Sequence, residues 1–471
     1  MDATAAFEEV FADSDSGESD FEDVFRDDSD GMSVDNVADT ADMDNDGAGD
    51  ADQNIEDDID GEVRGMDAFR QALPRAYDHN WLMDFNHPHG QLIVDTDDTT
   101  EPSEYGIFSH FFDGEVLDLL VLETNRYATT TISSRGGTDE LSPHSRLRRW
   151  RDVDVPEMKA FLALLLLMGV DRRPNYNLYW TTEWTIQAPG IKSIMSRDRF
   201  YAILQMLHCT DNANLPKAGE PNHDRRGKIL HLMNLIVRRW QTGYYPDREL
   251  AVDETIIPFK GRTGMKVYKP NNPHKWGINC WNVAESRTGY VWNAELYQGK
   301  RNNETEVGLY KSLVNRMCQP FFNRGHHLYM DNLFSSPELF TDLAANQMGA
   351  CGTLRVNRVG TPDEIKSSKM RKGDAMRSVR DGNLMFISWF DKRQVNVVTS
   401  VHNASTFPKA VRERGQNDRR EVHKPVAVEC YTKFMGGVDR ADQGMWYMLN
   451  IHRTVKWCKK VFINLSEVSF V

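Results

Sequence analysis

The sequence predicts a multidomain α/β protein: a disordered acidic tail, a helical region, and a mixed-sheet core interrupted by an insertion. Three observations predict it. Residues 1–60 hold 23 acids against a single base, Arg26. From about Ser103 to Tyr245 the apolar residues recur at helical spacing. After Glu249 they alternate with a period of two. The division that follows is 1–75 for the tail, 103–248 for the helical region, and 249–359 for the first part of the core. An insertion or long loop then covers 360–383, and the second part of the core covers 384–471.

The tail repeats Asp, Ser, Gly and Ala with few large apolar residues, too few to offset the entropy of ordering it. Phe7, Phe11, Phe21 and Phe25 punctuate it, either as short docking elements or as part of a solvated tail that limits nonspecific contacts. The tail also hides the charge of the rest. The formal net charge of the chain is −14 and the first 60 residues carry −22, which leaves +8 on residues 61–471. That remainder is fit to meet phosphates. The six cysteines form no CxxC, so neither a zinc module nor a disulfide framework is readable, and buried thiols in a reducing compartment are expected. No signal peptide opens the chain, and the longest apolar run, Phe161 to Val170, is about half of a membrane span. A soluble intracellular protein with no membrane partner is the expectation.

In the helical region, Gly114–Ala128 carries Val116, Leu119 and Leu120. Pro156 stands near the start of an apolar helix that Gly169 should end. Ser196 can cap a helix with Phe200, Ile203, Leu204 and Leu207 on one face, and Ile229, Leu232, Met233 and Ile236 repeat that spacing. These stripes read as core. The basic cluster from Arg146 to Arg151 reads equally as a solvated face or as a DNA contact.

The core is organised around Glu249 to Lys275. Leu250 and Val252 share one strand face and Ala251, Asp253 and Thr255 the other, which sets a carboxylate inside an apolar, β-branched run. Past Glu254 the charge reverses. Lys260, Arg262, Lys266, Lys269 and Lys275, with His274, come without an acid before Glu285, a cationic arm suited to positioning phosphates rather than reading bases. Trp276–Ala284 and Gly289–Tyr297 then read as a hairpin, and Glu304–Cys318 as a helix. His327 to Asp331 is a short buried strand ending in a carboxylate. Ser335, Ser336 and Pro337 open a helix from Glu338 to about Asn346. Gly352–Val356, Leu384–Phe390 and Val395–Val401 read as strands. A late helix opens at Gly436 and sets Asp439 and Asp442 three residues apart on one face.

Three carboxylates thus fall on a strand (Asp253), at a strand end (Asp331) and on a helix (Asp439), 78 and then 108 residues apart. Hard oxygen ligands of this kind suit Mg²⁺ or Mn²⁺, and two such ions about 4 Å apart can activate a nucleophile and stabilise the leaving oxygen of a phosphodiester. Spacing alone is weak in a chain with 70 acids. The surrounding motifs strengthen it: Val252-Asp253-Glu254 with Phe259-Lys260-Gly261-Arg262, Lys269-Pro270 with Pro273-His274-Lys275-Trp276-Gly277, Met330-Asp331-Asn332-Leu333-Phe334-Ser335-Ser336, Gly352-Thr353-Leu354-Arg355, and Met435-Gly436-Gly437-Val438-Asp439-Arg440-Ala441-Asp442-Gln443. Over about residues 105–465 the chain resembles the piggyBac-type transposases, a DDE/D family with a ribonuclease H-like core.

The resemblance implies catalytic aspartates at Asp253, Asp331 and Asp439, with Asp442 as an accessory acid and the first three as ligands of Mg²⁺ or Mn²⁺. It also implies cut-and-paste transposition at TTAA targets through a hairpin intermediate. Double-stranded DNA (transposon ends and target) is then the partner, the helical region serves dimerisation and DNA binding in a homodimer, and the nucleus is the site of action. Family members carry a cysteine- and histidine-rich zinc-binding module beyond the last catalytic helix, whereas this sequence stops at Val471 inside what reads as the next helix. The competing expectation is a domesticated, catalytically silent DNA- or chromatin-binding protein. Intact carboxylates favour the enzyme, and the missing module favours the silent protein.

Overall fold

The computed structural model describes residues 85, 87–93, 104–270, 272–299, 308–412 and 419–471. The tail inferred for 1–75 lies outside them, as does the start of the helix expected from Glu304.

A two-residue strand β1 (Gln91–Leu92) precedes the helical region of α1 (Glu104–Phe111), α2 (Gly114–Ser134), α3 (Val155–Val170), α4 (Pro189–Ile194), α5 (Arg197–Met206) and α6 (Gly227–Gly243). Side chains accept the otherwise unmatched N–H groups of the first turns: Asp113 from Val116 at α2, Asp154 from Glu157 at α3, and Ser196 from Arg199 at α5. Pro156 sits in the first turn of α3, where its missing N–H costs nothing. The two stripes inferred from spacing are buried, with Phe200, Ile203, Ile229, Leu232 and Ile236 essentially inaccessible. The basic cluster is tied locally while Arg148, Arg149 and Arg151 stay exposed: Arg146 meets Asp198 at 3.4 Å, Arg151 meets Glu157 at 2.7 Å, and Arg148 donates to the Leu141 carbonyl at 3.1 Å.

Strand β2 (Tyr244–Tyr245) pairs with β1 and leads into the main sheet. Its nine strands are β3 (Glu249–Pro258), β4 (Lys266–Tyr268), β5 (Trp276–Glu285), β6 (Val291–Leu296), β7 (His327–Met330), β8 (Gly349–Thr353), β9 (Arg377–Asp381), β10 (Leu384–Phe390) and β11 (Gln394–Thr399). The order is β4-β5-β3-β7-β8-β11-β10-β9, with β6 beside β4 along the outer edge of β5. β3, β7 and β8 are parallel; the other pairings are antiparallel. Two crossover helices, α7 (Leu309–Cys318) and α8 (Pro337–Ala345), make the parallel connections, and Ser336 caps α8 through the Leu339 N–H. Segment 360–383, expected as an insertion or loop, contains the helical turn α9 (Asp363–Lys366), with Ile365 buried, and edge strand β9. The strand expected at Gly352–Val356 lies three residues earlier, because pairing with β7 begins at Gly349.

A hairpin of β12 (Thr406–Arg412) and β13 (Arg419–Pro425) then leads into α10 (Val426–Phe434), α11 (Gly437–Met448) and α12 (Trp457–Val468). Strand alternation assigns the two faces of the sheet. Leu250, Val252, Leu328, Met330 and Phe386 pack with α7 and α8 on one side. On the other, Tyr329, Cys351 and Ile387 pack against α10. Ile257, Ile278 and Ala284 on this same second face join one core with α11, α12 and the whole helical region. The apolar run Phe161 to Val170 is thus a core helix, and no helix among the described residues is long and apolar enough to cross a membrane. All six cysteines are free thiols, five of them buried.

Candidate active site

The second face of the sheet carries the acids. β3 lies between antiparallel β5 and parallel β7, and Val252 is the register partner of Met330. One step farther along both strands, Asp253 and Asp331 leave side by side. The Asp331 carboxylate accepts the Leu333 N–H at 2.8 Å, and its carbonyl accepts the Ser335 hydroxyl at 2.8 Å, so a local turn holds the side chain at the strand end. Gly352 makes this turn possible: a Cβ there would stand 2.3 Å from Ser335 Oγ and 2.5 Å from the Met330 carbonyl.

Helix α11 lies over β3 and β5, and Gly437 permits the close approach, since a Cβ would meet the Glu285 carbonyl at 2.9 Å. Asp439 stands exposed in its first turn. One turn on, Asp442 accepts a hydrogen bond from the Thr255 hydroxyl at 2.8 Å, and Thr255 in turn accepts from Asn282 Nδ2 at 2.8 Å.

The electrostatics are those of crowded, half-buried carboxylates. Burial pushes Asp253 well above the usual carboxylate range, and the charges of Asp331 and Asp439 push it further against the opposing Glu254 N–H. Burial likewise raises Asp331, helped by Glu254 and opposed by the Leu333 and Phe334 N–H groups and by Arg355. Asp442 is pushed up to about 7, chiefly by burial and also by Asp439. A hard divalent cation beside Asp253 and Asp331 would relieve this repulsion, so the donor chemistry fits such an ion. Among the described residues, however, no group of three or more His, Cys, Asp or Glu side chains is drawn together as a metal site. The fit rests on the Asp253–Asp331 pair, with Asp439 acting on it electrostatically.

Part of the cationic arm is anchored. Lys269 pairs with Glu254 at 2.7 Å, and Lys266 donates to the Gly261 carbonyl at 3.2 Å while lying 5.1 Å from the centre of the Trp276 ring. His274 is half-buried beside Trp446, and burial, together with Lys460 and Lys260, holds its pKa below the usual value. Lys260, Arg262 and Lys275 are exposed.

The family profile described as Transposase IS4 matches residues 103–471. The chain belongs to this transposase family, on its piggyBac-type branch. It is 27% identical over 362 residues to piggyBac transposable element-derived protein 3 of Homo sapiens, covering 74% of this chain and 57% of that protein. To piggyBac transposable element-derived protein 2 of Homo sapiens it is 27% identical over 372 residues, covering 76% and 58%. The chain therefore spans under three-fifths of the length of these curated relatives. Its fold is similar to that of a solved piggyBac transposase synaptic complex with hairpin DNA, with a TM-score of 0.64 at 23% identity, covering 78% of this chain and 73% of the other.

Around the aspartates, this piggyBac-type chain places further residues whose tasks the sequence did not reveal. Arg358 donates to the carbonyls of Asn332 at 3.1 Å and Leu333 at 2.7 Å, and Arg355 to Asn332 Oδ1 at 2.9 Å, so both brace the Asp331 turn. Glu254 bridges Lys269 and Asn279. On α10, Tyr431 meets Thr353 at 3.4 Å, and burial with the charges of Asp331 and Asp253 keeps its hydroxyl protonated. Nothing in the periodicity of the sequence signals these interactions, which join segments up to 78 residues apart.

Proposed function

We propose that the chain is a DNA strand-cleaving and strand-joining transposase, or a nuclease derived from one, acting on double-stranded DNA. The observation that carries this reading is the side-by-side emergence of Asp253 and Asp331 from parallel neighbours, with their ionisation opposed by burial and by charge. An antiparallel β3-β5-β6 meander followed by parallel β7 and β8 supports a ribonuclease H-like core. Asp253, Asp331 and Asp439 would hold Mg²⁺ or Mn²⁺, which supplies an activated water or 3′-hydroxyl and stabilises the leaving oxygen.

The chain's own groups would do the rest. Asp442, about half-ionised near pH 7, accepts from Thr255 and would seat α11 so that the charge of Asp439 acts on Asp253. Arg355 and Arg358 hold the Asp331 turn. Exposed Lys260, Arg262 and Lys275 would position phosphates. Action at TTAA targets, a homodimer and nuclear localisation belong to the same proposal. Incubation of the purified protein with a TTAA-flanked duplex tests it: Mg²⁺- or Mn²⁺-dependent nicking by wild type, absent in Asp331→Asn, is the expected result.

A second reading has its own support. Asp439 is exposed and, among the described residues, no three acids close into a ligand cluster, which suits a silent DNA-binding protein. Metal-independent DNA binding without nicking would establish that reading instead.

A further inference from the structure

The cationic arm ends in an aromatic pair that the phosphate-positioning role leaves unused. Tyr268 on β4 is the cross-strand register partner of Trp276 on β5, at the outer edge of the sheet. The ring centroids are 4.6 Å apart, and both rings stay open, Tyr268 at 50% and Trp276 at 44% exposure. The Lys266 ammonium lies 5.1 Å from the centre of the Trp276 ring, exposed Lys275 is the residue before Trp276, and exposed Lys260 follows Phe259, whose N–H donates to the Trp276 carbonyl at 3.2 Å. From residue 255 to 284 the chain carries no acid.

Cross-strand packing alone would explain two aromatics that cover each other, but it leaves nearly half of each ring in water. Open π-faces beside cations are the chemistry that takes up an unpaired nucleobase: the ring stacks on the base and the ammonium neutralises the adjoining phosphate. Duplex DNA keeps its bases stacked inside and offers no such face. The location also relates the pair to the acids. Trp276 shares its strand alternation with Ile278, Cys280 and Asn282, hence the sheet face of Asp253, the register partner of Asn282. Six residues of strand separate Trp276 from Asn282, about 20 Å. Lys269, the residue after Tyr268, is clasped by Glu254, the residue after Asp253, so the arm is fastened to the strand that carries the acid.

We propose that Tyr268 and Trp276 form a stacking platform for an unpaired base, so that the site prefers DNA with an extrahelical or single-stranded base over fully paired DNA. This rests on the DNA-acting reading above and narrows its substrate class.

The test is a metal-free binding titration of the full chain with two probes: a paired duplex, and the same duplex carrying one extrahelical adenine. Wild type binds the second probe more tightly. Trp276→Ile and Tyr268→Ile keep apolar cross-strand cover without a π-face, and each reduces that preference about tenfold or removes it. Each lowers affinity for the paired duplex less than for the extrahelical probe, and Trp276→Phe retains part of the preference. Thermal melts of the same variants check that the β4–β5 edge is intact. Equal affinity of wild type for both probes, or a preference untouched by the isoleucine variants, overturns the platform while leaving DNA binding in place. Binding to neither probe overturns the platform together with the DNA-acting reading.

Discussion

Asp253 and Asp331 stand side by side because Val252 and Met330 are register partners on parallel strands. Burial opposes the ionised form of both, joined by the charge of Asp331 at Asp253 and by that of Glu254 at Asp331. Asp331→Asn therefore leaves metal-free protein as stable as wild type or more so, since it removes one of two crowded charges while preserving shape. A merely hydrogen-bonded structural Asp would instead lose about 1–3 kcal/mol. Thermal melts with and without Mn²⁺ separate the cases: wild type gains stability from the ion and Asp331→Asn gains less.

Asp442 provides a pH-dependent prediction. Its folded pKa, about 7, lies above the ordinary carboxylate value, so the folded state holds its proton more tightly than the unfolded chain does. The stability linked to that proton is fully present below the unfolded value, about 4, and is lost as pH rises through about 7. Asp442→Asn keeps an oxygen to accept from Thr255 and cannot ionise. Urea midpoints of the metal-free proteins at pH 5 and pH 8 should show the variant gaining on wild type at pH 8, by on the order of 1–3 kcal/mol. A difference independent of pH would remove Asp442 as the titrating group.

The arm separates into anchored and free cations. Lys269→Met breaks the pair with Glu254, whose side chain is only 14% exposed, and costs about 1–2 kcal/mol. Pairing it with Glu254→Gln should recover part of that loss in a double-mutant cycle. Neutralising exposed Lys260, Arg262 or Lys275 leaves stability nearly unchanged and makes the salt dependence of DNA affinity shallower, by about 0.9 for each phosphate that is no longer neutralised. Denaturant titrations and salt-dependent binding curves on the same proteins distinguish the two groups.

Gly437 lets α11 lie against β3 and β5. In Gly437→Ala the added Cβ would meet the Glu285 carbonyl at 2.9 Å and the Ala251 Cβ at 3.2 Å, so the first turn of the helix must shift. A cost of about 1–3 kcal/mol follows, with a larger proportional loss of nicking, because Asp439 rides on the displaced turn. Parallel measurement of urea midpoint and nicking rate checks the ratio.

Much of this molecule follows from local chemistry that the sequence contains. Ser196 and the Ser336–Pro337 pair open the helices inferred from them, the stripe through Ile229 and Ile236 is core, and Leu384–Phe390 is a strand with the bounds its alternation implies. Alternation also places Asp253 and Thr255 on one face of β3, because successive side chains of a strand point to opposite sides. Only the tertiary structure decided which strand lies beside β3, since a parallel partner arrives through a crossover and its register depends on packing across the whole sheet. The same limit hid the fastening of Lys269 to Glu254 and the seating of Asp442 on Thr255, 187 residues away. It also hid the burial of Lys459 and Lys460 in α12, where their ammonium groups donate to the carbonyls of Gln205 and Asn450. Period and caps report what a segment does with its own backbone; which charges meet is settled by the three-dimensional arrangement that satisfies their burial.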